Sequence, residues 1–209
     1  MMIYFDIYDF LIGVGLLCIL LPVIWRRKHK LSYLLFFSLF WVYLLAVVQA
    51  VIFPFVINTT SSTASFTPSI NLVPFYFGGC FNNMPAQCTA GIADNILLTI
   101  PFGFGINFLA RVRPKGIFWL ALAVGLGLEL AQLCISLLFR SGFRASDIND
   151  AIFNAAGVLL GYTFFRVFAW LYLRAIDYFG IKPKWLAADI YDVAIQTHAA
   201  DKSKQVIKS

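Results

Sequence analysis

The chain has 209 residues, of which 61% are hydrophobic, 17% aromatic and only 12% charged, far more apolar surface than a soluble domain of this length buries. This composition excludes a soluble globular protein and points to an integral membrane protein. The formal net charge of +6 does not imply a nucleic-acid partner, because Lys and Arg gather in three blocks beside apolar runs, the pattern that orients a membrane protein.

The first apolar run, about residues 10–25, follows Asp6 and Asp9 and is followed at once by RRKHK at 26–30. A cleavable signal peptide carries its positive charge first, so this run reads as a retained helix with its N-terminus outside. The second run, about 31–57, carries Trp41, Tyr43 and Gln49 and reaches its outer end near Pro54; Gln49 is expected to make an interhelical hydrogen bond. Residues 58–91 change character: a polar linker at 59–69, the aromatic stretch NLVPFYFGG at 71–79, then Cys80 to Cys88. So long a loop in a small membrane protein is more often functional than idle. Cys80 and Cys88, eight apart on the side that the charge pattern places outside, are expected to pair as a disulfide, whereas Cys18 and Cys134 serve as small apolar side chains within the runs.

The third run, about 92–110, contains PFGFG at 101–105, where Pro101 removes one donor and leaves the Leu97 carbonyl free, so a kink or local break is expected. Arg111, Arg113 and Lys115 place its end inside. The fourth run, about 116–139, returns outward with Glu129 and Gln132, and SGFRAS at 141–146 makes the outer turn. The fifth, about 147–173, returns inward; Asp147 suits an N-cap, Asp150 its first turn, and Gly157 with Gly161 a close helix crossing. In the tail, Trp185, Leu186, Ile190 and Val193 are expected to form a weak amphipathic face on the membrane, and the basic end at 202–208 is expected to be disordered. The expected fold is therefore all-α and polytopic, with five transmembrane helices, the N-terminus outside, the C-terminus inside and a long extracellular loop between helices 2 and 3. Thirteen of the 16 Lys and Arg fall in the two inner loops and the tail under this arrangement.

A carboxylate at the bilayer centre costs roughly 2.5 kcal/mol even on the gentlest insertion scale, so Glu129 and Asp150 are not expected to face lipid. Glu129 and Gln132 share a helix face at i, i+3, and Asp147, Asp150, Asn154, Gly157 and Gly161 form a stripe on the next helix. Together with Asn95 and Arg144, the polar members of these stripes are expected to line a pocket that opens outward. Arg140 and Arg144 oppose the charge rule, and two readings stand: pairing with Asp147 and Asp150, or attraction of an anion from outside. The chain carries no GxSxG, HExxH or Walker loop, and His29 and His198 lie in the inner basic loop and the tail, so no catalytic residue and no metal site are assigned. Mg²⁺ enters only under an alternative in which Asp147, Asp150 and Glu129 bind the ion and through it a lipid diphosphate.

NLVPF at 71–75, DNILLTIPFGF at 94–104, ELAQL at 129–133 and FRASDINDAIFNAAGVLLGY at 143–162 resemble, in order and spacing, the VanZ-like family of small bacterial membrane proteins. The matching region covers roughly residues 35–173. Carried onto this chain, the resemblance points to Asn71, Pro74 and Phe75 in the loop, Asn95, Pro101 and Gly103 on the third helix, Glu129 and Gln132 on the fourth, and Arg144, Asp147, Asp150, Asn154 and Gly157 around the fifth. It divides the chain into an additional helix and basic loop at 1–30, a membrane core at 31–173 and a cytoplasmic or interfacial tail at 174–209. The family is named for a protein associated with resistance to teicoplanin-type lipoglycopeptides, which implies a role in the envelope of the bacterial cytoplasmic membrane without supplying a mechanism. The expected partner is a membrane lipid or lipid-linked cell-wall ligand, with the lipoglycopeptide itself as a second candidate, and no cofactor is implied.

Overall fold

A computed structural model describes residues 2–28, 30–56, 69–110, 112–140 and 146–206. The helices are α1 (Ile7–Lys28), α2 (Leu31–Ile52), α3 (Cys80–Asn83), α4 (Pro85–Leu109), α5 (Pro114–Leu138), α6 (Ile148–Phe179) and α7 (Leu186–Val206). Five of them, α1, α2, α4, α5 and α6, are long and apolar enough to cross a membrane. Helices α4 and α5, at 25 residues each, are about 37 Å long, enough to span a hydrocarbon core of about 30 Å with some tilt. Among the described residues four two-residue strands supplement the helices: β1 (Met2–Ile3) pairs antiparallel with β2 (Phe55–Val56), and β3 (Ile70–Asn71) pairs parallel with β4 (Ser146–Asp147).

Local chemistry sets the helix ends. Pro85 and Pro114 open α4 and α5 at positions where a missing N–H costs nothing. Asp147 caps α6 by accepting the Asn149 N–H at 2.8 Å, and Gly180, at φ 60°, closes it in the left-handed region that a side chain disfavours. The third span begins at Pro85, seven residues earlier than hydropathy indicates, because its first turns are polar. Of the kink or local break expected at Pro101, the break does not occur: the helix is continuous through it. Tyr43 Oη on α2 donates to the Leu98 carbonyl at 2.7 Å and α6 lies against Gly103, so neighbours hold this part of the helix in place. Helix α6 continues to Phe179, beyond residue 173. The polar linker at 59–69 lies outside the described residues apart from Ser69.

The core forms around α6, which runs parallel to α4 and antiparallel to α5. Small residues bring the backbones together. A methyl group added at Gly157 would meet the Ile96 carbonyl and the Thr99 hydroxyl, one at Gly161 the Ile100 carbonyl, and one at Gly103 the Val158 carbonyl. Gly125 on α5 is closed off in the same way by the Ala151 carbonyl of α6. Within this contact Thr99 Oγ1 donates to the Asn154 carbonyl at 2.7 Å, a bond between helices that needs the absent side chain of Gly157. Ile117, Ala121, Ala155, Val158 and Tyr162 complete the apolar packing between α5 and α6.

At the opposite end of the spans, Phe104, Phe108, Phe165 and Phe168 form an aromatic cluster, and Phe36 stacks on Phe108 with centroids 4.4 Å apart. Helix α7 docks there: Ala194 is buried against Phe165 and Ala169, and Tyr172 Oη donates to the Ala187 carbonyl at 2.8 Å. Lys30 and Ser32 meet Asp189 at 2.8 and 2.6 Å. The hydrogen bond from Lys30 holds the Asp189 carboxyl below its ordinary range, and Asp189 in turn holds the Lys30 ammonium above its own. The tail therefore packs on the bundle. Val193 turns toward α6 and Trp185 toward the surroundings, so the expected single membrane face is not formed, and the helix persists to Val206 where disorder was expected from 202. Gln49 is exposed, and the bond between α1 and α2 comes instead from Trp41 Nε1 to the Gly13 carbonyl at 2.9 Å.

Overpacking a close helix contact costs about 1–3 kcal/mol. Gly161→Ala is expected to lower the midpoint of thermal unfolding in detergent. Gly127→Ala, where an added methyl meets nothing within 4 Å, is expected to leave it unchanged.

Candidate functional site

The N-terminal ends of α4 and α6 lie side by side, and the segment 69–78 is strapped across them. Parallel pairing sets Ile70 opposite Ser146 and Asn71 opposite Asp147, and Ser146 N–H donates to the Ser69 carbonyl at 3.0 Å. Asn71 then holds the strap from within. Its Oδ1 accepts Val73 N–H at 3.1 Å, and its Nδ2 reaches Asp147 Oδ1 at 2.9 Å and the Tyr76 carbonyl at 3.1 Å. Asn149, 2% exposed, completes the clasp: its Oδ1 accepts the Phe75 N–H and its Nδ2 donates to the Tyr76 carbonyl at 2.9 Å. Phe75 sits at φ 59°, a left-handed conformation costing of order 1–3 kcal/mol for a residue with a side chain, and the bond to Asn149 offsets that cost.

Glu129 anchors the other side. Buried on α5 at 7% exposure, its Oε2 accepts Asp147 N–H at 3.0 Å and the Ser146 hydroxyl at 3.3 Å. The carboxylate thus satisfies donors at the start of α6 that the helix itself leaves open, and its own burial is offset by them. Gln132, one turn further, does not join it; its Nε2 donates to the Val51 carbonyl of α2 at 3.1 Å.

Between the strap, α3, the first turns of α4 and the start of α6 lies a cavity of about 550 Å³, within the size range of small-molecule sites. One wall is Ser69, Ile70, Asn71 and Tyr76 to Gly78; a second is Cys80, Gln87, Cys88, Gly91 and Ile92; the third is Asp147, Asn149, Asp150 and Phe153. Cys80 and Cys88 are joined as a disulfide, with Cα atoms 6.0 Å apart, which fixes α3 to the first turns of α4. Phe77 and Phe153, both in the lining, stack on each other with ring centroids 6.3 Å apart.

Of the seven polar residues expected to line one pocket, Asp147 and Asp150 reach this cavity. Asn154 is 2% exposed and sits one turn below Asp150, its Nδ2 3.5 Å from Asn95 Oδ1 and its Oδ1 without a partner among the described residues. Glu129 clamps the start of α6 from behind, Gln132 serves α2, and Arg144 lies outside the described residues. Among the described residues no three His, Cys, Asp or Glu side chains converge as metal ligands. Two contributors were missed by the sequence reading. Asn149 lies off the stripe formed by 147, 150 and 154, and Thr99 is an ordinary-looking threonine in an apolar run. The one clue to Asn149 was a second amide beside two carboxylates at a helix start.

A bundle of five membrane-length helices, with a polar strap clasped to the start of the last, defines a multi-pass membrane protein with a cavity at one end of its spans. The chain belongs to the VanZ/LLP1 family, whose model matches residues 40–169 and so takes in α2 from Phe40, the strap, α4, α5 and most of α6. It is similar to Protein VanZ of Enterococcus faecium, with 32% identity over 122 residues, covering 57% of this chain and 66% of that protein. The chain thus spans just under two thirds of that relative's length. No solved structure matches it.

Losing a buried side chain that satisfies two backbone groups costs about 1–3 kcal/mol for each group left bare. Asn149→Ala is expected to speed amide hydrogen exchange across residues 71–78 while exchange in α4 below Thr99 stays slow. Equal protection of the strap in both proteins would show that Asn149 is not its clasp.

Proposed function

We propose that this chain is a VanZ-like protein of the bacterial cytoplasmic membrane that holds a membrane lipid or lipid-linked cell-wall ligand in the cavity at the outer end of its spans, and thereby lowers susceptibility to teicoplanin-type lipoglycopeptides. The observation that carries this reading is the origin of the cavity walls. Asn71 of the strap and Asp147, Asp150 and Phe153 of α6 fall within the family match, and they surround a volume of about 550 Å³ at the end of the spans. With the basic loops and tail inside and the N-terminus outside, that end faces the cell wall. The exposed aromatic strap then lies at the depth of the outer headgroups, where a lipid is the nearest ligand.

Gly91 lines the cavity, and a Cβ added there meets nothing within 4 Å. Gly91→Trp is therefore expected to fill the cavity without disturbing the helices. In a susceptible host, wild type is expected to raise the teicoplanin concentration needed to stop growth. Gly91→Trp should abolish that protection at equal protein level in the membrane, while Gly127→Trp, on α5, should retain it. Full protection by Gly91→Trp would overturn the reading.

A further inference from the structure

We infer that the corner joining α6 to α7 docks into the headgroup layer at the end of the spans that carries the basic loops, and that its lysines take anionic phospholipid there. Neither the cavity nor its ligand bears on this contact. Residues 178–185, YFGIKPKW, leave four large apolar side chains outside the bundle. Tyr178 and Trp185 are 84% and 88% exposed, and Phe179 and Ile181 are exposed with them. The rings of Tyr178 and Phe179 meet edge to face, 5.1 Å between centroids. Trp185 opens α7, its carbonyl accepting Ala188 N–H at 3.0 Å, and its φ of 55° is a left-handed conformation that a bulky side chain disfavours. With the indole in the open, no packing within the chain offsets that strain.

Depth decides what covers these rings. Asp189, one turn after Trp185, is bonded to Lys30 and Ser32 at 2.8 and 2.6 Å. Lys30 ends the basic run that follows α1, and the 22 residues of α1, about 33 Å long, match one hydrocarbon core. That run lies among headgroups, and Trp185 stands only about 6 Å along α7 from its level. Helix α6 gives the same depth. Its 32 residues, about 48 Å long, cover about 45 Å at a tilt of about 20°, the thickness of a bilayer with both headgroup layers. Charge then selects the lipid. Lys182 and Lys184 alternate with the apolar residues, both are exposed, and neither has an ion-pair partner among the described residues. Arg174, over the Trp170 ring, adds a third cation, against the one carboxylate of Asp177 between residues 174 and 185. Rings with an apolar body and a polar edge suit the headgroup boundary, and the lysines attract a net negative surface.

The test uses the full chain with Cys18 and Cys134 replaced by alanine and a nitroxide attached at Ile181→Cys. It is held in nanodiscs of phosphatidylcholine, alone or mixed equally with phosphatidylglycerol. Collisions of the nitroxide with oxygen, which dissolves in lipid, are compared with collisions with a neutral nickel chelate, which stays in water. Phosphatidylglycerol is expected to shield the label from the chelate, the ratio of docked to undocked corner rising about fivefold for each lysine engaged. Lys182→Gln combined with Lys184→Gln should remove this response to lipid, and Trp185→Ala should return the label to the chelate in both discs. All three side chains are exposed, so the unfolding midpoint is expected to stay unchanged. A label open to the chelate in both lipids would place the corner in water, available to a protein partner, and would overturn the inference. Equal shielding in both lipids would overturn the choice of anionic lipid, and a Trp185→Ala label as well shielded as its parent would overturn docking through the aromatic tip.

Discussion

The close approach of α4 and α6 is the constraint on which the rest of the molecule depends. Their backbones meet where Gly103, Gly157 and Gly161 carry no side chain, so the helices run parallel at a separation that larger residues forbid. In a bilayer, lipid tails are as apolar as leucine and supply no hydrophobic drive between helices, so close packing and the bond from Thr99 to the Asn154 carbonyl carry more of the association. Because the two helices run parallel, their N-terminal ends open at the same level. That places Gln87 to Ile92 opposite Asp147 to Phe153 and leaves the strap to roof the space between them.

The polar residues at this end divide into two kinds of work. Glu129, Asn149 and Asn71 satisfy backbone and side-chain donors and acceptors of the strap and the helix start, and each has its hydrogen-bonding capacity directed inward. Asp147 does both, capping α6 with one oxygen while standing at the cavity wall. Such a division explains how a short strap with a left-handed Phe75 holds its shape: Asn71 and Asn149 fix it directly, Glu129 holds the helix start they are joined to, and none of them needs a ligand to do so. The cavity is thereby preorganised, which lowers the ordering cost of binding.

Much of the architecture was legible in the sequence because it rests on long-period signals. Runs of apolar residues located the five spans, and a carboxylate ahead of an apolar-periodic segment identified Asp147 as the cap of α6. The start of α4 was not legible: Gln87 and Thr89 lower the hydropathy there, and the disulfide that joins α3 to these turns is a contact that hydropathy does not register. Pro101 left a kink and a break both open, and the choice between them depends on Tyr43 and α6, which are distant in sequence. The stripe formed by Glu129 and Gln132 gave a shared face but not the neighbour met by each residue; one serves α6 and the other α2. Asn149 escaped because a stripe criterion selects residues on one side of a helix, and the strap lies on another.

The central claim is a cavity that opens on the outer face of the membrane. Ser69, exposed at its rim, offers the most direct probe. Ser69→Cys, in a chain with Cys18 and Cys134 replaced by alanine, should react with a membrane-impermeant maleimide added to intact cells. Gly91→Trp in the same chain should slow that reaction by narrowing the cavity behind the rim. Labelling that appears only after the cells are permeabilised would contradict the account.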